Sequence, residues 1–179
     1  FAGIVNNGSG CSDLGYGIFT NLQASVEIGS TYTCTLSTQY SSQFVSIWVD
    51  FNLDNIFQSS ELILTDYFLE AAGESYEVDI EIPGYGQANI TTMRVGANFD
   101  ELSSPDPCAT FLYGEWEDYS IEVTGESIQF DASVVSIDLG NTYGQAEIIP
   151  MAAVKNSGIQ TISFPVTCTI GAYSETIQV

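Results

Sequence analysis

Short runs of alternating or β-branched residues, separated by Gly, Asn, Ser and Pro, recur along the chain and constrain its fold most strongly. A helical period is absent except for a brief candidate helix at residues 67–72. The predicted strands are residues 22–28, 31–38, 44–49, 75–82, 91–97, 119–123, 128–137, 146–154, 161–170 and 175–179. Turn signals between them are Gly29-Ser30, Pro83-Gly84, Gly140-Asn141 and Asn156-Ser157-Gly158. The pattern predicts an all-β chain that folds as one β-sandwich, jelly-roll-like or immunoglobulin-like, or as two such sandwiches.

Acidic residues are unevenly distributed, which indicates a domain boundary. The chain has 23 Asp and Glu, 2 Lys and Arg and no His, for a formal net charge of −21. Nineteen of the acidic residues lie in residues 1–126. We therefore expect two domains, residues 1–126 and 127–179. The second is near the size below which a sandwich lacks a sufficient core, so we expect it to be truncated.

The same charge balance excludes several function classes. Nucleic-acid binding needs a basic surface, which Arg94 and Lys155 alone cannot form. No apolar run approaches the roughly 20 residues that span a bilayer, so we expect no membrane insertion. Without His, chemistry that depends on imidazole is also excluded. Metal binding through oxygen ligands remains compatible with this composition.

A twelve-residue segment beginning at Asp50 has the ligand spacing of a calcium loop. Positions 1, 3, 5 and 12, with the position 7 carbonyl, are Asp50, Asn52, Asp54, Glu61 and Ile56. Position 6 requires left-handed backbone, which Asn55 tolerates better than other residues with a Cβ. Because a strand pattern precedes the loop, we expect Ca²⁺ bound on a sheet rather than an EF-hand. The alternatives are an acidic surface turn with accidental spacing and, less favoured, Mg²⁺.

A second acidic group stands in Gly114-Glu115-Trp116-Glu117-Asp118-Tyr119. Carboxylates this close repel each other unless a cation lies among them. We predict that Arg94 forms a structural, forked ion pair with Glu115 or Glu117. Glu117 and Asp118 are also candidates for further calcium ligands. Nothing in the sequence marks a cleft for paired-carboxylate catalysis, so we expect no enzyme activity.

Three ordered motifs resemble the signature of the GEVED domain. They are Trp48-Val49-Asp50-Phe51-Asn52-Leu53-Asp54, Met93-Arg94-Val95 and Gly114-Glu115-Trp116-Glu117-Asp118-Tyr119, with Trp116 in place of the usual Val. The resemblance covers about residues 1–125 and implies a β-sandwich module of a large secreted or cell-surface protein of Bacteroidota-type bacteria. Residues 128–179 resemble, more weakly, the first part of a CARDB or related immunoglobulin-like module.

These observations together predict a non-catalytic, extracellular structural or adhesive module, rigidified by calcium, in a large secreted or cell-surface protein, with an adhesin or a fibre as the options for its assembly. The expected partners are other modules of the same polypeptide, further copies through self-association, and surface glycans. The alternative is a carbohydrate-binding accessory domain of a secreted hydrolase or metalloprotease. Five aromatic residues would then form a sugar-stacking platform, although we favour ordinary packing and rim positions of a sandwich for them. They are Tyr16, Tyr40, Tyr85, Tyr113 and Trp116.

Four cysteines allow three full pairings. Strand parity indicates that Cys34 and Cys168 are core thiols. Cys11 and Cys108 lie in Gly-, Ser- and Pro-rich loops, where a cross-link is useful, and we favour a Cys11–Cys108 disulfide. A Cys11–Cys34 bond and free thiols are the alternatives.

Overall fold

The structure is a computed structural model that describes residues 1–99, 102, 106–138, 151–156 and 158–179. The chain divides into two compact units, Phe1–Ser127 and Ile128–Val179. The predicted turn at Gly140-Asn141 and most of the predicted strand 146–154 lie outside the described residues. Among the described residues no helix is long and apolar enough to cross a membrane.

The described residues of the first unit form seven strands in two sheets. They are β1 (Tyr16–Glu27), β2 (Thr31–Leu36), β3 (Gln43–Val49), β4 (Leu62–Leu69), β5 (Tyr76–Glu81), β6 (Asn89–Phe99) and β7 (Gly114–Thr124). A five-stranded sheet has the order β1-β7-β6-β3-β4, and β2 pairs with β5. All these pairs are antiparallel except β1 with β7, which is parallel. The register of the β1–β7 pair shifts between Phe19 and Gln23.

Alternation along the strands directs one face of the large sheet into the core. Val45, Ile47 and Val49 of β3 are buried on this face, together with Ile121 and Val123 of β7. Inward-facing residues of the small sheet, Cys34 and Ile80, are buried as well. The predicted all-β class and β-sandwich architecture are therefore confirmed.

Strand β4 corrects the prediction of a short helix at residues 67–72. Leu62–Leu69 instead forms an edge strand that pairs with β3, including Val45 with Tyr67 and Ile47 with Leu64. The apolar and β-branched start of this segment, Leu62-Ile63-Leu64-Thr65, is the β-type signal that the helical interpretation omitted.

In the second unit, the part of the chain that the structure describes forms two antiparallel pairs of strands. They are β8 (Ala132–Asp138) with β9 (Met151–Asn156), and β10 (Pro165–Ile170) with β11 (Tyr173–Gln178). None of its described side chains is fully buried. Its assignment as a truncated CARDB-like module stays a prediction.

Candidate functional site

The predicted calcium loop connects β3 to β4 at one end of the large sheet. Asp50 directly follows β3, and the loop ends in a short 3-10 turn, Ser59–Glu61, before β4 begins at Leu62. The expectation that strands rather than helices flank the loop is confirmed. The Asp50 N–H donates to the Thr92 carbonyl of β6 at 3.1 Å, so the start of the loop is fixed to the sheet.

Three predicted ligand side chains converge inside the loop. The backbone N–H of Asp54 lies 3.2 Å from Asp50 Oδ1 and 3.0 Å from Asn52 Oδ1. The Asn52 amide in turn donates to Asp54 Oδ2 at 3.1 Å. One N–H thus reaches side-chain oxygens of both Asp50 and Asn52, which brings two of the predicted ligand residues together. Their role as calcium ligands stays a prediction.

Left-handed backbone at Asn55 is confirmed, with a φ of +64°. Its N–H donates to Asp50 Oδ2 at 3.0 Å, which ties the sharp turn to the first carboxylate. Leu53 has the same φ of +64°, a second left-handed position that the sequence analysis did not identify. Leu carries a Cβ penalty there, so the surrounding hydrogen bonds hold the loop in a conformation that it would not favour alone.

Glu61 is buried and binds the backbone of its own loop. Its Oε1 accepts the N–H groups of Phe51 at 2.9 Å and Asn52 at 3.2 Å. Its Oε2 accepts the N–H of Gln58 at 3.0 Å. This carboxylate therefore closes the loop through three amides, and its role as a position 12 ligand stays a prediction.

The donor set of the loop is compatible with a hard cation. Among the described residues no three His, Cys, Asp or Glu side chains form a metal-binding group. A cation here would be held by the carboxylates of Asp50 and Asp54 with the amide oxygen of Asn52 and the carbonyl of Ile56. Oxygen-only sets of this kind suit Ca²⁺, which takes about six to eight oxygen ligands and completes its coordination shell with water molecules where the protein supplies fewer.

The pKa of Asp54 is lowered, which favours the anionic form that a cation ligand requires. Slight desolvation raises its pKa, but hydrogen bonds from Gln58, Ile56 and Asn52 outweigh that effect and leave the pKa below its ordinary value. The carboxylate therefore stays ionised to lower pH than a free Asp.

Arg94 forms the predicted forked ion pair, but its partner is Asp118. Arg94 Nε lies 2.7 Å from Asp118 Oδ1, and Nη2 lies 2.8 Å from Oδ2. The prediction of Glu115 or Glu117 was wrong because the antiparallel register places Arg94 directly opposite Asp118. Glu115 and Glu117 alternate onto the other face of β7.

Two further groups complete what we call the Arg94 cluster, namely Arg94, Asp118, Tyr16 and Pro107. Arg94 Nη2 donates to the Tyr16 hydroxyl at 2.9 Å, and Nη1 donates to the Pro107 carbonyl at 3.0 Å. The Tyr16 hydroxyl also donates to Asp118. Strong hydrogen bonding to Asp118 raises the pKa of Arg94 further above its ordinary value. The cluster thus joins β1, β6, β7 and the turn before β7.

Phe57 connects the loop to this cluster. The Arg94 Cζ lies 5.0 Å from the centre of the Phe57 ring and 5.2 Å from that of Tyr16. Both distances fall in the range of cation–π contacts. Neither aromatic is predicted from the sequence as a partner of Arg94. Their aromatic character and the presence of a single Arg were the available signals, but no spacing rule connects residues so far apart.

Glu115 and Glu117 have separate partners on the opposite face. Glu115 Oε2 accepts the Ser12 N–H at 2.9 Å, and Glu117 Oε2 accepts the Tyr119 hydroxyl at 2.6 Å. The carboxylates of Glu117 and Asp118, predicted as further calcium ligands, are therefore engaged with Tyr119 and the Arg94 cluster rather than with the loop.

The predicted Cys11–Cys108 disulfide is not present, because all four cysteines are free thiols. Cys108 Sγ lies 3.8 Å from Arg94 Nη1. Its turn is held by the N–H of Cys108, which donates to Asp106 Oδ1 at 2.8 Å. Packing against the guanidinium thus takes the place of the expected cross-link. Cys34 is buried, as strand parity predicts, and Cys168 is partly exposed.

The aromatic residues do not form one platform. Trp116 is buried, and its ring stacks on Phe111 with a centre-to-centre distance of 4.6 Å. Tyr16 belongs to the Arg94 cluster. A polar cavity of about 330 Å³ does adjoin the loop. Its lining consists of Asp50, Leu53, Asn55, Asn89, Ile90, Thr91, Thr92 and Ser120.

Comparison with known families identifies residues 44–122 as a match to the GEVED domain. The resemblance to this family is thereby confirmed over the segment that contains the loop, Arg94 and the acidic motif of β7. No curated protein and no solved structure matches the chain.

Proposed function

We propose that this chain is a calcium-stabilised structural module of a large secreted or cell-surface protein. The GEVED match and the all-β fold fit a non-catalytic extracellular module in general. Calcium binding, secretion and an adhesive or fibre-forming role are the proposed additions. The observation that carries the proposal is the convergence of Asp50 and Asn52 on the N–H of Asp54.

Calcium would act on stability rather than on chemistry. The loop joins the central strand β3 to the edge strand β4, so a cation held by Asp50, Asn52 and Asp54 would fix the end of the sheet. It would also offset part of the negative charge that dominates residues 1–126. A ligand that binds only the folded state raises the free energy of unfolding by mass action. The rigidity of the module would then depend on external calcium.

The direct test compares thermal unfolding in EDTA, Ca²⁺ and Mg²⁺. At free Ca²⁺ of 100 times its Kd we expect about 2.7 kcal/mol of stabilisation, or roughly 10 °C in Tm. Mg²⁺ should give a smaller shift because it prefers compact octahedral sites that retain water. Isothermal titration calorimetry gives the stoichiometry, which should be one ion per chain.

Asp54→Asn is the matching variant because Asp54 is exposed, so the fold should tolerate the change. We expect its calcium affinity to fall at least about tenfold through the loss of a charged ligand. Glu74→Gln removes an equally exposed carboxylate outside the loop and should leave the affinity unchanged. A Tm that is the same in EDTA and Ca²⁺ would contradict the proposal.

In its surroundings, the module would connect to other modules of the same polypeptide, with self-association or surface glycans as further partners. In the alternative role, a carbohydrate-binding accessory domain, a glycan would occupy the open polar cavity beside the loop. A glycan array with the 179-residue chain, run with the wild type and with Thr92→Ala, tests whether glycans bind at this cavity. Binding that Thr92→Ala abolishes supports the accessory role, and an array without any binding supports the structural one.

A further inference from the structure

Phe57 makes a contact that no ligand role of the loop requires. It stands at position 8 of the loop, where its side chain would not bind a cation, and its ring lies 5.0 Å from Arg94 Cζ. Ring and guanidinium are only partly exposed. A contact of this type contributes about 0.5–2 kcal/mol, more when it is shielded from water.

The loop and the Arg94 cluster are each held together by internal hydrogen bonds. In the loop, Glu61 accepts three backbone amides. In the cluster, Asp118 accepts two nitrogens of Arg94. Phe57 is the side chain of the loop that contacts the guanidinium, so it joins two groups that each act as a unit.

Beyond its contact with Phe57, the Arg94 cluster contacts β1, an edge strand of the large sheet. Tyr16 is the first residue of β1, and its hydroxyl contacts both Arg94 and Asp118. The β1–β7 register shifts after Phe19 and resumes at Gln23. Residues 16–19 are therefore paired separately from the rest of β1, and Tyr16 fastens this short segment from one end.

We propose that Phe57 couples the order of the loop to the order of residues 16–19 at the start of β1. The coupling runs through Arg94 and Tyr16. Loosening the loop removes the ring from the guanidinium, weakens the Arg94–Asp118–Tyr16 arrangement and frees the first part of β1. The path runs through direct contacts between residues distant in sequence. This coupling goes beyond the proposed calcium role, and any agent that orders the loop would tighten the same edge.

Hydrogen exchange in EDTA tests the coupling independently of calcium. Asn52→Ala loosens the loop by removing an exposed side chain that donates to Asp54 and Gln58. We expect it to speed exchange in residues 16–19 and at the Arg94 Nε–H by about fivefold. Residues 24–27, beyond the register shift, are the internal control and should not change. Arg94 is the only Arg of the chain, so its Nε–H signal is identified without further assignment.

The decisive comparison repeats Asn52→Ala in a Phe57→Ala background. There the loop change should alter exchange at Arg94 and residues 16–19 by less than about twofold, because the connection is missing. Phe57→Tyr keeps the ring and should restore the fivefold response. An equal response with and without the Phe57 ring would overturn the proposal. So would faster exchange of the loop amides with no change at Arg94.

Discussion

At the scale of single residues, strand parity decides which of three neighbouring carboxylates meets the only Arg. Asp118 faces Arg94, whereas Glu115 and Glu117 point to the other side of β7. The acidic motif therefore serves two sites, one on each face of the sheet. A fork to a carboxylate suits Arg better than Lys, since both nitrogens donate along fixed directions.

Placing Glu117 on the opposite face of β7 from Arg94 leaves one of its carboxylate oxygens buried without a hydrogen bond. Its Oε1 is buried, and among the described buried side-chain oxygens and nitrogens it lacks a hydrogen-bond partner. Its Oε2 accepts the hydroxyl of buried Tyr119, and that hydroxyl also accepts a hydrogen bond from Asn6 at 2.9 Å. The hydrogen bond from Tyr119 is therefore the main compensation for burying the Glu117 carboxylate.

The raised pKa of Tyr119 leads us to expect that the free energy of unfolding falls at alkaline pH. Burial, and then the hydrogen bond to Glu117, raise the pKa of Tyr119 above the ordinary value of 10.0. A group whose pKa is raised on folding stabilises the protein fully below the unfolded pKa and loses that effect as pH rises through the folded pKa. We expect the urea midpoint to fall steadily above about pH 10.

Tyr119→Phe tests this assignment. The variant should lose about 1–3 kcal/mol at neutral pH, since Glu117 loses a partner, and should fall less steeply above pH 10. Tyr40→Phe, at an exposed site, is the control and should follow the wild type. An alkaline limb that is as steep without the Tyr119 hydroxyl would disprove the assignment.

At the scale of elements, the loop is ordered by its own polar groups as well as by any cation. The Gln58 carbonyl accepts the Glu61 N–H at 2.8 Å, and the Glu61 side chain accepts the Gln58 N–H at 3.0 Å, so two reciprocal hydrogen bonds close the 3-10 turn. Two left-handed residues, Leu53 and Asn55, lie earlier in the loop, in the segment that Glu61 closes by accepting the N–H groups of Phe51 and Asn52. The loop is thus partly preorganised, which lowers the entropy that binding must offset.

Glu61→Gln should destabilise the first unit because an amide replaces an ionised acceptor of three N–H groups. We expect a loss of about 2 kcal/mol in urea unfolding in the absence of calcium. The measurement uses EDTA so that loss of a ligand does not contribute. Glu74→Gln is the control, and an equal effect of both variants would show that net charge, not the loop, is responsible.

At the scale of the whole molecule, the fully buried residues belong to the first unit. Every fully buried side chain of the described residues lies between Ala24 and Val123. The core that opposes unfolding is therefore contained in residues 1–127, and the described part of residues 128–179 adds none to it.

Removing residues 128–179 should leave the main unfolding transition unchanged. We expect the Tm of fragment 1–127 to lie within about 3 °C of the corresponding transition of the full chain, because its core and sheet hydrogen bonds are retained. Differential scanning calorimetry of both proteins makes the comparison. A much lower Tm of the fragment would show that the two units stabilise each other.

The sequence by itself determined the features that depend on local geometry. Period-two alternation gave the all-β class, and ligand spacing at Asp50, Asn52 and Asp54 gave the converging loop. The need for left-handed backbone at position 6 identified Asn55. Each of these follows from residues a few positions apart, where chain geometry leaves few alternatives.

Only the tertiary structure decided which distant residues meet. The β6–β7 register selected Asp118 for Arg94, and the parallel placement of β1 brought Tyr16 to the same guanidinium. Packing of the loop placed Phe57 beside it and turned Cys108 toward Arg94 instead of Cys11. A one-residue change of register would move every side chain of a strand to the other face. Spacing along the chain does not set that register, and the summed packing of all strands does.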